Sequence, residues 1–186
     1  MILTDREIQN SIASGLISID PPPSRQSYAS TSVDLTLAAE IRAFKDQDPG
    51  LETAIDPMRP GYNIAKLLNS LTEQILIDQK DGYILQPKKL ILAWTAEGIK
   101  LHTHGRVAAR VEGKSSLARI GLAIHVTAPT IHAGFSAKSI QLEIINHGPL
   151  PIKLHQGMPI CQLIFEQTLG MPDKAYEGQF SGQSPR

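Results

Sequence analysis

From Ile75 to Phe165 the chain breaks into short apolar runs set apart by glycine, proline and polar turn residues. Beyond Ile75 itself, the runs are Tyr83–Leu85, Leu90–Thr95, Val107–Val111, Leu122–Thr127, Ile140–Ile145, Ile152–Leu154 and Ile160–Phe165. All are shorter than an ordinary helix, and turn signals separate them. That pattern predicts many short strands closing into a β sandwich or barrel-like fold. Upstream, Val33, Leu35 and Leu37 alternate with Asp34 and Thr36, which is strand period over Ser32–Leu37.

Helical signals are few. Thr4-Asp5-Arg6-Glu7 reads as a capping box, with Ile8, Ile12 and Leu16 at helical spacing and Gly15 as a stop. A short helix from about Asp5 to Ser14 is expected, then a brief strand at Ile17–Asp20. Pro21, Pro22 and Pro23 impose an extended loop. Residues 46–74 are polar and proline-broken as far as Gly61. Ile64, Leu67, Leu68 and Leu71 then share one helical face. This interval reads as a small helical insertion in one domain spanning 1–186. Residues 173–186 are polar and rich in Gly, Ser and Gln, and are expected to be a mobile tail unless a ligand orders them.

Composition excludes several classes of function. Eighteen basic and eighteen acidic residues cancel, so no global field attracts nucleic acid or an anionic membrane. Aromatics make up 5% of the chain and are not interleaved with basic stripes, so no single-strand binding surface is predicted. No apolar run approaches the roughly 20 residues that span a bilayer, and the N-terminus lacks a signal-peptide pattern. The single cysteine, Cys161, cannot make an internal disulfide or a cysteine zinc site. A cytoplasmic protein without nucleic-acid or membrane partners is expected.

The chemistry concentrates in a few stretches. Gly113-Lys114-Ser115-Ser116 ends like a phosphate loop, but Ala108 stands where that motif needs its first glycine. The segment still supplies a close-approach glycine, two hydroxyls and a charge, and it reads either as an oxyanion contact or as a solvated turn. Arg119, set among Leu117, Ala118 and Ile120, reads as buried: a structural ion-pair partner or a fork that grips an oxygen. In KSIQLEIIN, Gln141 and Glu143 share one strand face and Ile140, Leu142 and Ile144 the other. Glu143 is a solvated sheet residue, or a general base with a raised pKa if that face lines a pocket. His125, His132, His147 and His155 fit no short metal-ligand spacing, and His125 reads as a satisfied sheet histidine. Gln162 interrupts the apolar ICQLIF. It needs a partner, either a loop or a bound nucleotide.

Taken together, STSVDLTLAAEIRAF, EGKSSLARIGLAIHVTA, GFSAKSIQLEIINHGPLPIKLHQGMPICQLIFE and KAYEGQ follow in one order that resembles the dCTP deaminase family of the trimeric dUTPase-like superfamily. The resemblance covers most of the chain outside 46–74. It implies a mainly β, distorted jelly-roll of the dUTPase-like type and a homotrimer with active sites between subunits. It further implies zinc-independent deamination of dCTP to dUTP and ammonia, with Mg²⁺ carried by the triphosphate and dTTP as a possible inhibitor. Carried over by position, Lys114, Ser115, Ser116, Leu117, Ala118 and Arg119 would contact the nucleotide. Val126 and Ala128 would help to orient water and carboxylate, and Gln141 and Leu142 would wall the base. Glu143 would be the catalytic carboxylate, aided by Ser115 and Arg119. Gln162, Lys174, Tyr176 and Gln179 would be further nucleotide contacts.

Two departures from the family pattern matter. His132 replaces an acidic residue that, in dUTP-hydrolysing members, activates the attacking water. One extra residue lies between Gly134 and Glu143, so a bulge is expected if Glu143 is to point inward. The alternatives are a dUTP diphosphatase, alone or combined with deamination, and a non-catalytic trimer that senses dNTPs.

Overall fold

A computed structural model describes residues 1–46 and 54–173. Helix α1 (Asp5–Ala13) leads into β1 (Ile17–Asp20), β2 (Tyr28–Ala29) and the long β3 (Ser32–Phe44). Helix α2 (Ile64–Leu71) precedes β4 (Thr72–Leu76), β5 (Tyr83–Leu85), β6 (Leu90–Thr95), β7 (Gly98–Leu101) and β8 (Val107–Gly113). The one-turn helix α3 (Ser115–Ala118) follows. After it come β9 (Leu122–Ala123), β10 (Thr130–Ile131), β11 (Ser136–Ala137), β12 (Gln141–Asn146), β13 (Ile152–Leu154) and β14 (Pro159–Gln167).

The main antiparallel sheet runs β10-β8-β14-β3-β6-β12-β9, with β2 and β4 also on β3. A smaller sheet runs β1-β7-β11, and β13 pairs with β5. The main sheet is curled, a mainly β half-barrel. Its inner face buries Val33, Leu35, Leu37, Ile41, Leu142, Ile144, Leu163 and Phe165. Every one of these belongs to an alternating strand, so the apolar period delivers one wall of the core per strand. Strand β3 organises the sheet. Its first half pairs with β14 and its second half with β4 and β6. Between Leu37 and Ile41 it advances four residues while β6 advances from Thr95 to Ala93. The mismatch is even, so the bulge bends β3 without exchanging its faces.

Helix α1 starts and stops as its sequence implies. The Thr4 hydroxyl accepts from the Glu7 N–H, and Gly15 lies at φ 74°. Helix α2 falls on the expected apolar face, but Thr72–Gln74, assigned above to the insertion, already belong to β4 and pair with Phe44, Ala43 and Arg42. Residues 47–53 of that interval lie outside the described residues, as does the tail from 174 onward. The expected strand at Leu122–Thr127 is cut to Leu122–Ala123. Main-chain pairing to β12 ends there, and Val126 turns out to solvent at 57% exposure. The apolar letters of Ile124–Thr127 mimic a strand, yet they belong to the loop between β9 and β10.

Candidate active site

Glu143 sits in the middle of β12, directly opposite Leu92 of β6. Its neighbours Leu142 and Ile144 are buried in the core, so the pleat turns Glu143 to the other face. There it lines a cavity of about 420 Å³ with Gln141, Leu142, His125, Ala128 and His132. Val111, Ile131, Phe135 and Ile140 supply apolar wall. A space of this size suits a small organic ligand, with most of the wall apolar and a few polar groups giving direction.

Among the described residues Glu143 faces the cavity, with no bulge in the β12–β6 pairing. A bend at Lys138–Ser139 separates β11, which pairs with β7, from β12, which pairs with β6. The chain crosses between the two sheets at that bend, and β12 takes its register from β6 on one side and β9 on the other.

Burial raises the pKa of Glu143 above the ordinary glutamate value. A hydrogen bond from the Val126 main-chain N–H and the nearby His125 act against that rise. His125 is therefore not the satisfied sheet histidine expected. It lies in the loop after β9, half-buried on the cavity wall, and its Nδ1 has no hydrogen-bond partner. The sequence hid this because His125 looks like one position of an alternating strand that the structure does not form.

The segment GKSSLAR lies elsewhere. Strand β8 ends at Gly113, and α3 follows as a tight turn in which the Ala118 and Arg119 N–H groups donate to Lys114 and Ser115 carbonyls. Ser115, Ser116, Ala118 and Arg119 are exposed and Leu117 is half-buried. None of the residues Lys114–Arg119 lines the cavity of Glu143. Arg119 is thus not buried, and its guanidinium has no ion pair or hydrogen bond among the described residues. Its apolar neighbour Ile120 is itself 52% exposed, so the local letters do not mark a core segment.

The same turn is held firmly from the sheet. Gln162, half-buried on β14, accepts from the Ser32 hydroxyl (2.8 Å) and donates through Nε2 to the Gly113 carbonyl (3.0 Å). Lys114 pairs with Asp34 of β3, both side chains being about a quarter exposed. The loop and the amide are therefore partners within the protein, and the Lys114 charge is already engaged. Asp34 was read above only as the polar letter of an alternating strand. Its partner lies 80 residues away, which local pattern cannot reveal. Lys174, Tyr176 and Gln179 lie outside the described residues.

The molecule thus presents two separate elements. One is a cavity with a carboxylate and two imidazoles but no Lys or Arg on its wall. The other is an exposed turn with two hydroxyls and an unpartnered guanidinium. A family model described as dCTP deaminase-like matches residues 2–168. The dCTP deaminase of Rhodospirillum rubrum is 35% identical over 176 residues, covering 95% of this chain and 87% of that protein. A dUMP-forming dCTP deaminase from Methanosphaera stadtmanae is 33% identical over 188 residues, covering 98% of this chain and 90% of that protein. The crystal structure of 2'-deoxycytidine 5'-triphosphate deaminase from Agrobacterium tumefaciens superposes with a TM-score of 0.67 at 21% identity. That match covers 89% of this chain and 48% of the other, so this chain spans about half of it. The shared architecture is the dUTPase-like fold. The family match takes in the cavity, the turn and every strand that carries them: the chain belongs to the dCTP deaminase-like family.

Proposed function

We propose that the protein hydrolyses the 4-amino group of dCTP to give dUTP and ammonia, with Glu143 as the general base. The observation that carries this reading is the raised-pKa carboxylate of Glu143, held by the Val126 N–H inside a cavity of small-ligand size. Water attacks C4 of the cytosine ring as Glu143 takes a proton from it. The carboxylic acid so formed returns that proton to the departing amine. The C4–N bond then breaks and ammonia leaves, and the second proton of the added water passes from the C4 hydroxyl to ring N3, so that the C4 carbonyl remains. The Val126 N–H keeps the carboxylate aimed while it changes charge.

A triphosphate needs cations, and the cavity wall has none. The exposed Arg119, Ser115 and Ser116 are suited to that task from a neighbouring copy of the chain, as in a homotrimer with sites between subunits. Leu117 and Ala118 would bring the main chain of the turn along the nucleotide. Ala128 and His132 lie where the sugar and base edges would enter, beside Gln141 and Leu142. Gln162 would act by holding the Gly113 loop rather than by touching the ligand. Mg²⁺ belongs to the substrate in this reading, bound by phosphate oxygens and several waters with few protein ligands. dTTP shares the deoxyribose and triphosphate and is the expected competitor. Cys161 is wholly buried and its thiol pKa is pushed up by that burial, so it takes no part in the chemistry. No helix among the described residues is long and apolar enough to cross a membrane.

The dUMP-forming relative favours a second reading, in which the dUTP formed is also cleaved to dUMP and pyrophosphate. His132, standing where hydrolysing members of the superfamily use an acid, speaks against it. Purified protein incubated with dCTP and with dUTP in the presence of Mg²⁺, followed by nucleotide chromatography, separates the readings. Ammonia and dUTP are expected from dCTP. Pyrophosphate and dUMP would favour the second activity, and binding without product would favour a sensor.

A further inference from the structure

We infer that Asn146, with the glycine pair Gly121 and Gly148, is a positioning clasp that sets Arg119 for the reaction; this rests on the role proposed above for Arg119. The guanidinium has no partner among the described residues, so its place depends on the main chain beneath it. That main chain is a closed unit. Leu117, Ala118, Arg119, Ile120 and Gly121 each donate an N–H to a carbonyl within Lys114–Ala118, at 2.9–3.1 Å. A unit bonded in this way moves as one body, and its exit at Gly121 steers Arg119 two residues before it.

The exit is gripped by the end of β12. The His147 N–H donates to the Gly121 carbonyl at 2.8 Å. Gly121 lies at φ 92°, and a Cβ added there would meet the Gly148 nitrogen at 2.3 Å. A Cβ on Gly148 would meet the Ile120 carbonyl oxygen at 2.3 Å. Only two glycines allow main chains to pass so closely. Asn146, fully buried, fixes the far side of the grip. Its Oδ1 accepts from the Gly148 N–H (2.8 Å), and its Nδ2 donates to the Leu85 (3.1 Å) and Leu150 (2.9 Å) carbonyls. Both amide donors are used, so the side chain has one orientation. Asn146 is also the last residue of β12, the strand of Glu143. The clasp therefore ties the strand that carries the base to the turn that carries the cation, and it fixes their separation within each protomer.

The test is a double-mutant cycle in the full chain, with Gly148→Ala and Arg119→Lys, read as kcat/KM for ammonia release from dCTP. A methyl at position 148 should displace the Ile120 carbonyl and lower kcat/KM by about 10- to 100-fold. The double variant should lose clearly less than the product of the two single losses, because the clasp acts largely through that side chain. Losses that multiply would overturn the assignment. Hydrogen exchange gives a readout free of catalysis: amides 117–121 should exchange faster in Gly148→Ala, and unchanged protection there would count against the clasp. If Gly148→Ala does not fold, Asn146→Asp takes its place in the same cycle. It keeps the acceptor for the Gly148 N–H and loses both carbonyl contacts. A wild-type protein that releases no ammonia overturns the reaction, whereas unaltered exchange overturns the clasp.

Discussion

The Glu143 carboxylate accepts a hydrogen bond from the Val126 main-chain N–H, while its burial on the cavity wall still leaves its pKa above the ordinary 4.5. The two effects oppose each other, and desolvation is the larger. A carboxylate so placed is a stronger base than a solvated one and is held in a fixed direction. Glu143→Gln keeps the acceptor for Val126 and removes the base. Ammonia release from dCTP should fall by at least about 100-fold, with dCTP affinity within about threefold of wild type. Calorimetric titration beside the rate assay checks both, and loss of binding would remove Glu143 from the base role.

The same shift has a pH signature. The rate should fall in acid with an apparent pKa above 4.5, because the protonated carboxyl cannot accept a proton from water. Stability runs the other way. The folded state holds the Glu143 proton more tightly than the unfolded state does. This residue's contribution is therefore fully present below the ordinary glutamate pKa and is lost as pH rises through the raised value. Glu143→Gln should melt higher than wild type near neutrality, and the gap should close in acid. Melting curves from acid to neutral pH would show this; a gap that widens in acid contradicts it.

Gln162 links Ser32, on β3, to the Gly113 carbonyl at the mouth of the turn. Gln162→Leu leaves that part-buried hydroxyl and carbonyl without their partner, at a cost of about 1–3 kcal/mol in urea unfolding. Gln162→Glu retains the acceptor for Ser32 and should restore only part of the loss. Equal losses in both variants would mean that the contact to Gly113 carries all of the energy.

Lys114 and Asp34 form an ion pair with only about a quarter of each side chain exposed. Lys114→Met should destabilise the chain by about 1–3 kcal/mol, because Asp34 is left partly desolvated without its charge partner. Replacing both residues, Asp34→Leu with Lys114→Met, should recover part of that stability. Additive losses in the double variant would show that the pair contributes nothing as a pair.

The strands were legible where apolar period and turn residues agree. Ser32–Leu37, Leu90–Thr95 and Ile152–Leu154 appear within an extended β3, in β6 and in β13. Strands such as the four-residue Gly98–Leu101 and the two-residue Ser136–Ala137 are not legible in the sequence, because so few residues carry little or no period and the partner strand defines them. Glu143 stood out by its letters, a carboxylate between isoleucine and leucine, whereas His125 was hidden by an alternation that the chain does not use. Arg119 misled in the opposite sense: apolar neighbours suggested burial, but in a one-turn helix they do not face a common core.

A mainly β chain with a capped first helix is legible in the residues alone, as are the chemical candidates: the hydroxyl-rich turn, Arg119 and the carboxylate at 143. These follow from short-range physics, in which side-chain period and capping act within a few residues. It takes the folded chain to turn Glu143 into a cavity, to engage Lys114 with Asp34, and to anchor the turn through Gln162 and the Gly121–Gly148 approach. Burial and pairing are set by residues that meet across strands, up to 130 positions apart for Ser32 and Gln162. Letters along the chain do not encode that distance; the register of β3, β8, β12 and β14 does.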